Sequence, residues 1–248
     1  MTAHTQFFRV TLHSDVAVTA DAATIGGHAA LDYLPGSVFL GAVVARFIQT
    51  TPSGFDPDRF LSGRLRFLDA YPEVESKNSF PVPLCFHTQK GESWAGRKPV
   101  NSIAASDAPA GQTKQMRNGY LSADRTFFQP LFNSRLRTAI DRETGGAKKE
   151  QLFDRQSIPA GSTFIFQLQA DDDHDLCIAA DLLTKGPLRL GKSRSAEYGQ
   201  AFLEAIDTPK IASPGSTADG RIHVYLRSDL ALQKDGFPIL QPEPAAFG

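Results

Sequence analysis

Twice along this chain a segment of two-residue apolar period gives way to one of helical period and then to another strand pattern. That order constrains the fold more than any other feature. Over residues 6–12, Phe8, Val10 and Leu12 alternate with Phe7, Arg9 and Thr11, which predicts a strand. Its second face, of Phe, Arg and Thr, suits either a second packing layer or a stacking platform. After the Pro35-Gly36 turn, with Ser37 as the expected N-cap, Phe39, Leu40, Val43, Val44 and Phe47 recur at helical spacing over residues 38–49. Arg46 lies off that stripe. Residues 64–70 then read as a strand.

The second copy of the pattern begins with a clear strand over residues 162–169. The acids Asp171, Asp172 and Asp173 suit the first turn of a helix, where the positive end of the dipole lies. Leu176, Ala179, Ala180 and Leu183 give that helix its apolar stripe. Strands are expected over 199–206 and 221–226, with a loop from Pro209 to Gly220 between them. Strand–helix–strand, then strand–helix–strand, is the split βαβ, ferredoxin-like order. The fold class expected is therefore α+β, with an RRM-like sheet. Between the two halves, Phe80 to Phe86 is extended, and its prolines place it at an edge or in a loop. Residues 89–122 have little periodicity and read as a long loop or an extended hairpin. The chain is expected to be one domain, 1–248, with an insertion at about 71–160.

Charge narrows the function classes. The chain has 26 Lys and Arg against 27 Asp and Glu, a formal net charge of −1. Residues 90–149 nevertheless carry eleven cations and five acids, a net of +6, so the remainder carries −7. A second run, Lys185 to Arg194, has four cations and no acid. Two such patches hold a polyanion if they meet in space. The alternative is a solvated face, ion-paired to the acidic remainder. With 41% hydrophobic residues the chain has material for a core, and wholesale disorder is excluded. No apolar run approaches the roughly 20 residues of a membrane span. Residues 1–12 lack the pattern of a secretory signal. Cys85 and Cys177 are far apart and outside any Cys-x-x-Cys, so a reduced, cytoplasmic setting is expected.

Several motifs compete. Gly186 to Ser193 matches G-x-x-x-x-G-K-[ST], but a helix pattern precedes it and Gly199 interrupts any helix after it. A phosphate loop needs a strand before and a helix after, so the match is accidental. Read from Leu188 to Gly199, the same stretch is a glycine-bounded basic loop. In it, Gly191, Ser193, Ser195 and free N–H groups can meet phosphate oxygens, and Lys192 and Arg194 supply charge. Asp173, His174 and Asp175 do not share a helical face and read as an acidic first turn, not as a metal site. Trp94, Tyr120, Phe127 and Phe128 lie beside the cations of the insertion, where aromatics can stack bases or fill a core.

The basic loop resembles the glycine-rich loop of the RAMP superfamily, RNA-binding proteins of CRISPR systems. Three other segments agree with that family in order. These are Leu31 to Ala42 (LDYLPGSVFLGA), Arg66 to Pro72 (RFLDAYP) with Pro81 to Leu84, and Arg137 to Ala147 (RTAIDRETGGA) followed by Leu152-Phe153 and Ile158 to Phe164. The second is similar to the type III-D effector subunit of the Cas-five group. The resemblance implies a ferredoxin-like RAMP fold with a long inserted basic loop or hairpin. It implies a subunit without a catalytic role that holds the 5′ repeat-derived tag of CRISPR RNA and caps the backbone of an interference complex. Its partners would be that RNA and the other effector subunits, with no cofactor. The RNA-binding residues it implies are Gly191, Lys192, Ser193, Arg194 and Ser195. Ser37 and Arg46 on the first helix and Arg135 and Arg137 in the insertion are further candidates. The alternative within the superfamily is an endoribonuclease, using His28 as general acid or base, or Asp32 with a metal. Outside it, the alternative is an interaction protein whose basic loop meets an acidic partner.

Overall fold

The alternation at the N-terminus becomes β1 (His4–Leu12), with Phe8, Val10 and Leu12 turned into the core and fully shielded from water. The computed structural model describes residues 3–19, 29–51, 53–54, 56–91, 99–103, 111–141, 143–192, 197–209, 225–226, 232–234 and 237–239. The chain divides into two compact units, Met1–Ala212 and Ser213–Gly248.

In the first unit the next elements are α1 (Gly36–Thr50), the short α2 (Pro57–Leu61), and β2 (Leu65–Phe67). After residue 160 come β12 (Thr163–Ala170), α3 (Asp173–Thr184), β13 (Leu188–Arg189) and β14 (Gln200–Ile206). The strands pair antiparallel in the order β13–β14–β1–β12–β2. Both helices contribute to the core on one face of this sheet. Phe39, Val43 and Phe47 from α1 and Leu176, Ala179 and Leu183 from α3 join Phe8, Phe166, Leu168 and Leu203 from the strands. The ring of Phe39 stacks on that of Phe166 with centroids 4.2 Å apart. An interior this tightly filled accounts for the helical and strand periods read in the sequence.

The expected strand over 64–70 is interrupted. β2 and β3 (Tyr71–Val74) run along the same edge of β12, with Phe67 opposite Leu168 and Tyr71 opposite Ile165. Between them Asp69 turns away and accepts a hydrogen bond from the Gly36 N–H at 2.9 Å. Ala70 bridges Leu34 through two backbone hydrogen bonds. This corrects the expected cap. Ser37 is not the N-cap of α1: Pro35 holds that position and has no side-chain acceptor, so Asp69 supplies the cap from the break between β2 and β3. Ser37 is exposed in the first turn. Gly36 is required there because a Cβ would lie 1.8 Å from the Phe67 carbonyl oxygen.

Of the three acids expected in the first turn of α3, Asp173 begins it, while Asp171 lies before the helix and pairs with Arg66. Asp172 is the N-cap and accepts from the Asp175 N–H at 3.0 Å. Asp175 is itself buried, and Arg59 of α2 meets its carboxylate at 2.9 Å.

Residues 71–157 carry β3 and β4 (Lys77–Pro81), β5 (Phe86–Gln89), β6 (Val100–Asn101), β7 (Thr113–Gln115), β8 (Tyr120–Ser122), β9 (Phe127–Phe128), β10 (Asn133–Ile140) and β11 (Ala147–Ser157). β3, β4, β8 and β9 extend the main sheet, while β6–β5–β7 form a separate small one. The stretch 89–122, expected as a loop or hairpin, thus contributes single short strands to two sheets. Val82, Met116 and Leu121, with Phe86 and Phe127, form a second small core under them. β10 and β11 make a long hairpin with Arg135 opposite Arg155.

In the second unit, β15 (Leu232–Lys234) pairs with β16 (Phe237–Ile239). Most of the strand expected over 221–226, and nearly all of the preceding loop, lie outside the described residues.

Candidate nucleic-acid interface

The glycine-bounded loop has a rigid stem. Leu188 and Leu190 are buried, and the Leu190 N–H donates to the Gly199 carbonyl at 2.8 Å, closing the stem. On the other side the Lys192 N–H donates to the Ala17 carbonyl and the Gly199 N–H to the Asp15 carbonyl, both at 2.8 Å. Gly191 and Gly199 have φ of +74° and +92°, and a Cβ on either would meet a carbonyl oxygen at 2.5 and 2.4 Å. The segment from Gly186 to Lys192 runs from the end of α3 through β13, which is not the strand-to-helix path of a phosphate loop. Lys192 is exposed beside this stem; Ser193, Arg194 and Ser195 lie outside the described residues.

The hairpin β10–β11 brings Arg135 and Arg137 of the first basic patch to the same place. Tyr198, next to Gly199, is almost fully buried. The guanidinium carbons of Arg135, Arg137 and Arg155 lie 5.8, 5.5 and 5.8 Å from its ring centre. Three cations around one ring form a cation–π cluster. The Tyr198 hydroxyl accepts from Arg137 at 3.3 Å. Glu197 pairs with Arg135 at 3.2 Å and with Arg137.

Asp15 ties the stem to the hairpin. Its carboxylate accepts from Asn133 of β10 at 3.0 Å, from the Ser157 hydroxyl of β11 at 3.2 Å and from the Ala160 N–H at 3.0 Å. Burial pushes its pKa up, but these hydrogen bonds and the charge of Arg135 outweigh burial and hold it below its ordinary value.

The two remaining candidates on α1 lie apart from this cluster. Ser37 belongs to the first turn described above. Arg46 donates to the carbonyls of Leu182 at 2.6 Å, Pro187 at 2.5 Å and Gly186 at 3.4–3.5 Å. Its guanidinium therefore caps the last turn of α3 and holds the segment that leads into the loop.

The sheet face opposite the helices is no free cationic platform. Arg9 makes a bidentate pair with Glu73, at 2.7–3.0 Å, and a further pair with Glu204 at 2.9 Å. Phe7 on the same face is buried, so packing is its role here.

Of the residues read as catalytic alternatives, His28 lies outside the described residues. Asp32 accepts a hydrogen bond from the buried Tyr120 hydroxyl at 2.7 Å, which pins β8 to the segment before α1. Burial, then the charge and hydrogen bond of Asp32, push the Tyr120 hydroxyl far above its ordinary range. Among the described residues no group of three or more His, Cys, Asp or Glu is placed to hold a metal ion. No described helix is long and apolar enough to cross a membrane. Trp94 also lies outside the described residues.

Sequence reasoning missed Arg155, Tyr198, Glu197 and Asp15 as members of this cluster. Only the hairpin register, which sets Arg155 opposite Arg135, could have pointed to one of them.

The family model of the RAMP superfamily matches residues 11–202, from β1 through the stem to β14. The chain belongs to the RAMP superfamily. No curated protein matches it significantly. Solved structures similar to this RAMP protein include a chain from the cryo-EM structure of the type III-B Cmr-beta complex bound to cognate target RNA. That match has 11% identity and a TM-score of 0.48, and covers 82% of this chain and 97% of the other. A chain of the type IV-B CRISPR complex is similar at 13% identity and a TM-score of 0.45, covering 87% of this chain and 94% of the other.

Proposed function

We propose that this RAMP protein is a CRISPR RNA-binding subunit of an interference complex, of the Cas-five group, which holds the 5′ repeat-derived tag and caps the backbone of the complex. The observation that carries this reading is the meeting, at Tyr198, of the glycine-pinned loop stem with Arg135, Arg137 and Arg155 of the hairpin. Two basic segments far apart in sequence meet beside a loop whose stem is pinned by close glycine contacts to the chain's own Ala17 and Leu190 carbonyls. Positive charge with free backbone N–H groups is what phosphate recognition uses. Gly191, Lys192, Ser193, Arg194 and Ser195 are the residues assigned to the RNA backbone, with Arg135 and Arg137 beside them. Arg46 supports the loop from behind and drops out as a phosphate ligand. The strand order β14–β1–β12–β2, with α1 and α3 on one face, is read as the ferredoxin-like unit, and residues 71–160 as its insertion.

A place in an assembly is supported by a second feature. Leu131, Leu136 and Ile140, on and beside the hairpin, are 70–79% exposed, and apolar groups of that size suit burial against neighbouring subunits.

The test is a gel with 5′-labelled CRISPR repeat RNA, with and without Mg²⁺. A shift without cleavage, weakened in Lys192→Ala and Arg137→Ala, is expected. On single-stranded RNA the salt slope should fall by about 0.7 for each phosphate that is no longer neutralised. An unchanged slope removes the loop and hairpin from the site. Cleavage that disappears in Asp32→Ala or His28→Ala overturns the scaffold role.

A further inference from the structure

We infer that the insertion carries a second nucleotide-binding site, a groove of about 470 Å³ lined by Lys114, Gln115, Arg117, Asn118, Phe127 and Gln129, and that its ligand is a nucleotide of single-stranded RNA. This rests on the reading that the chain binds RNA, but on residues separate from the loop stem and hairpin.

The groove forms where the chain passes from β7 into β8 alongside β9. Gly119 makes that passage with φ +94°, and the ring of Phe127 lies across its Cα, where a Cβ would come within 2.5 Å of ring carbon. Phe127 is thereby fixed as one wall, partly buried against the small core of Val82, Met116 and Leu121. Lys114, Arg117, Asn118 and Gln129 stand exposed around it.

Charge distinguishes this groove from the cations at Lys77 and Arg9. Lys77 is matched by Asp124 at 2.6 Å, and Arg9 by two glutamates. Among the described residues that line the groove, none is acidic. The amides of Asn118 and Gln129 each offer a donor and an acceptor, the pattern a base edge requires. Gln115 is oriented by a hydrogen bond to the Leu84 carbonyl at 2.8 Å. Two cations for phosphate, an aromatic wall for a base and amides for its edge are the components of single-strand recognition. An acidic peptide would use the cations and leave the amides and the ring without a task. The volume lies within the roughly 300–1,000 Å³ of small-ligand sites, enough for one nucleotide.

The experiment measures binding of a ladder of 5′-labelled single-stranded RNAs, each one nucleotide longer than the last, beginning with the repeat tag. Wild-type affinity should rise at the length that reaches the groove. Lys114→Ala/Arg117→Ala should remove that rise and lower the salt slope by about 0.7 for each phosphate released from the groove, with shorter RNAs bound as before. Asn118→Asp/Gln129→Glu, which keeps the side-chain bulk and adds repulsion, should weaken the longer RNAs at least about fivefold. Superimposable curves for wild type and both variants at every length overturn the groove, even where Lys192→Ala still abolishes binding. Wild-type protein that binds no RNA of any length overturns the RNA reading itself, and the groove with it.

Discussion

Glu197 is an internal anion in the middle of a cationic cluster. It pairs with Arg135 and Arg137, the groups assigned to RNA phosphate, so RNA must compete with it. The pairs are about half exposed, and such pairs contribute little to stability, ~1 kcal/mol at most. Glu197→Gln should therefore leave thermal stability almost unchanged and tighten RNA binding by roughly threefold to tenfold. Equal affinity in a filter-binding titration would show that the arginines face no phosphate. Asp15 acts in the opposite sense, since its anion is structural. Its pKa is lowered in the folded protein, so the stability it supplies is present above the ordinary carboxylate value of 3.8 and is lost as pH falls through the lower native value. Hydrogen-exchange protection of Ser157 to Ala160 should be flat from neutral pH to about 5 and fall below about 4. Asp15→Asn should show weaker protection at neutral pH and a smaller loss on acidification. The same loss in both proteins would place the acid sensitivity elsewhere.

At the scale of elements, α1, β12 and α3 were legible because their burial is one-sided and their periods follow from it. The acid run marked the start of α3, with Asp172 as its N-cap. The cap of α1 was not legible, because it comes from Asp69, 33 residues away, and only the interruption between β2 and β3 puts it there. The site divides in the same way. Its charges and glycines could be read, since charge belongs to the residue and a positive φ needs little context. The meeting of hairpin and stem could not, since it depends on the register of β10 with β11 and on a tyrosine whose burial is a tertiary fact. Two substitutions probe these elements. Phe166→Ala removes the ring that stacks on Phe39 and should cost about 3–5 kcal/mol in denaturant unfolding. Arg59→Ala leaves the buried Asp175 carboxylate without its cation and should cost about 3 kcal/mol or more. A cost below about 1 kcal/mol for either would mean that the site collapses or rehydrates freely.

At the scale of the whole molecule, the first unit carries the two proposed RNA-binding regions on different supports. The loop stem stands on the main sheet, and the groove of Lys114 and Arg117 stands on the small core of Val82, Met116 and Leu121. The stem itself has a consequence for variation. Its described geometry is set by Leu190, Gly191 and Gly199, by backbone bonds to Asp15 and Ala17, and by the buried Tyr198. Eight residues separate Leu190 from Gly199, and doubling that length adds only about 0.6 kcal/mol of closure entropy. A graft of foreign sequence between Lys192 and Glu197 should therefore shift Tm by only about 2 °C. Under the proposed RNA-binding role, residues 193–196 are in this sense an exchangeable part on a fixed mount, where recognition can diverge while the body that carries it stays the same.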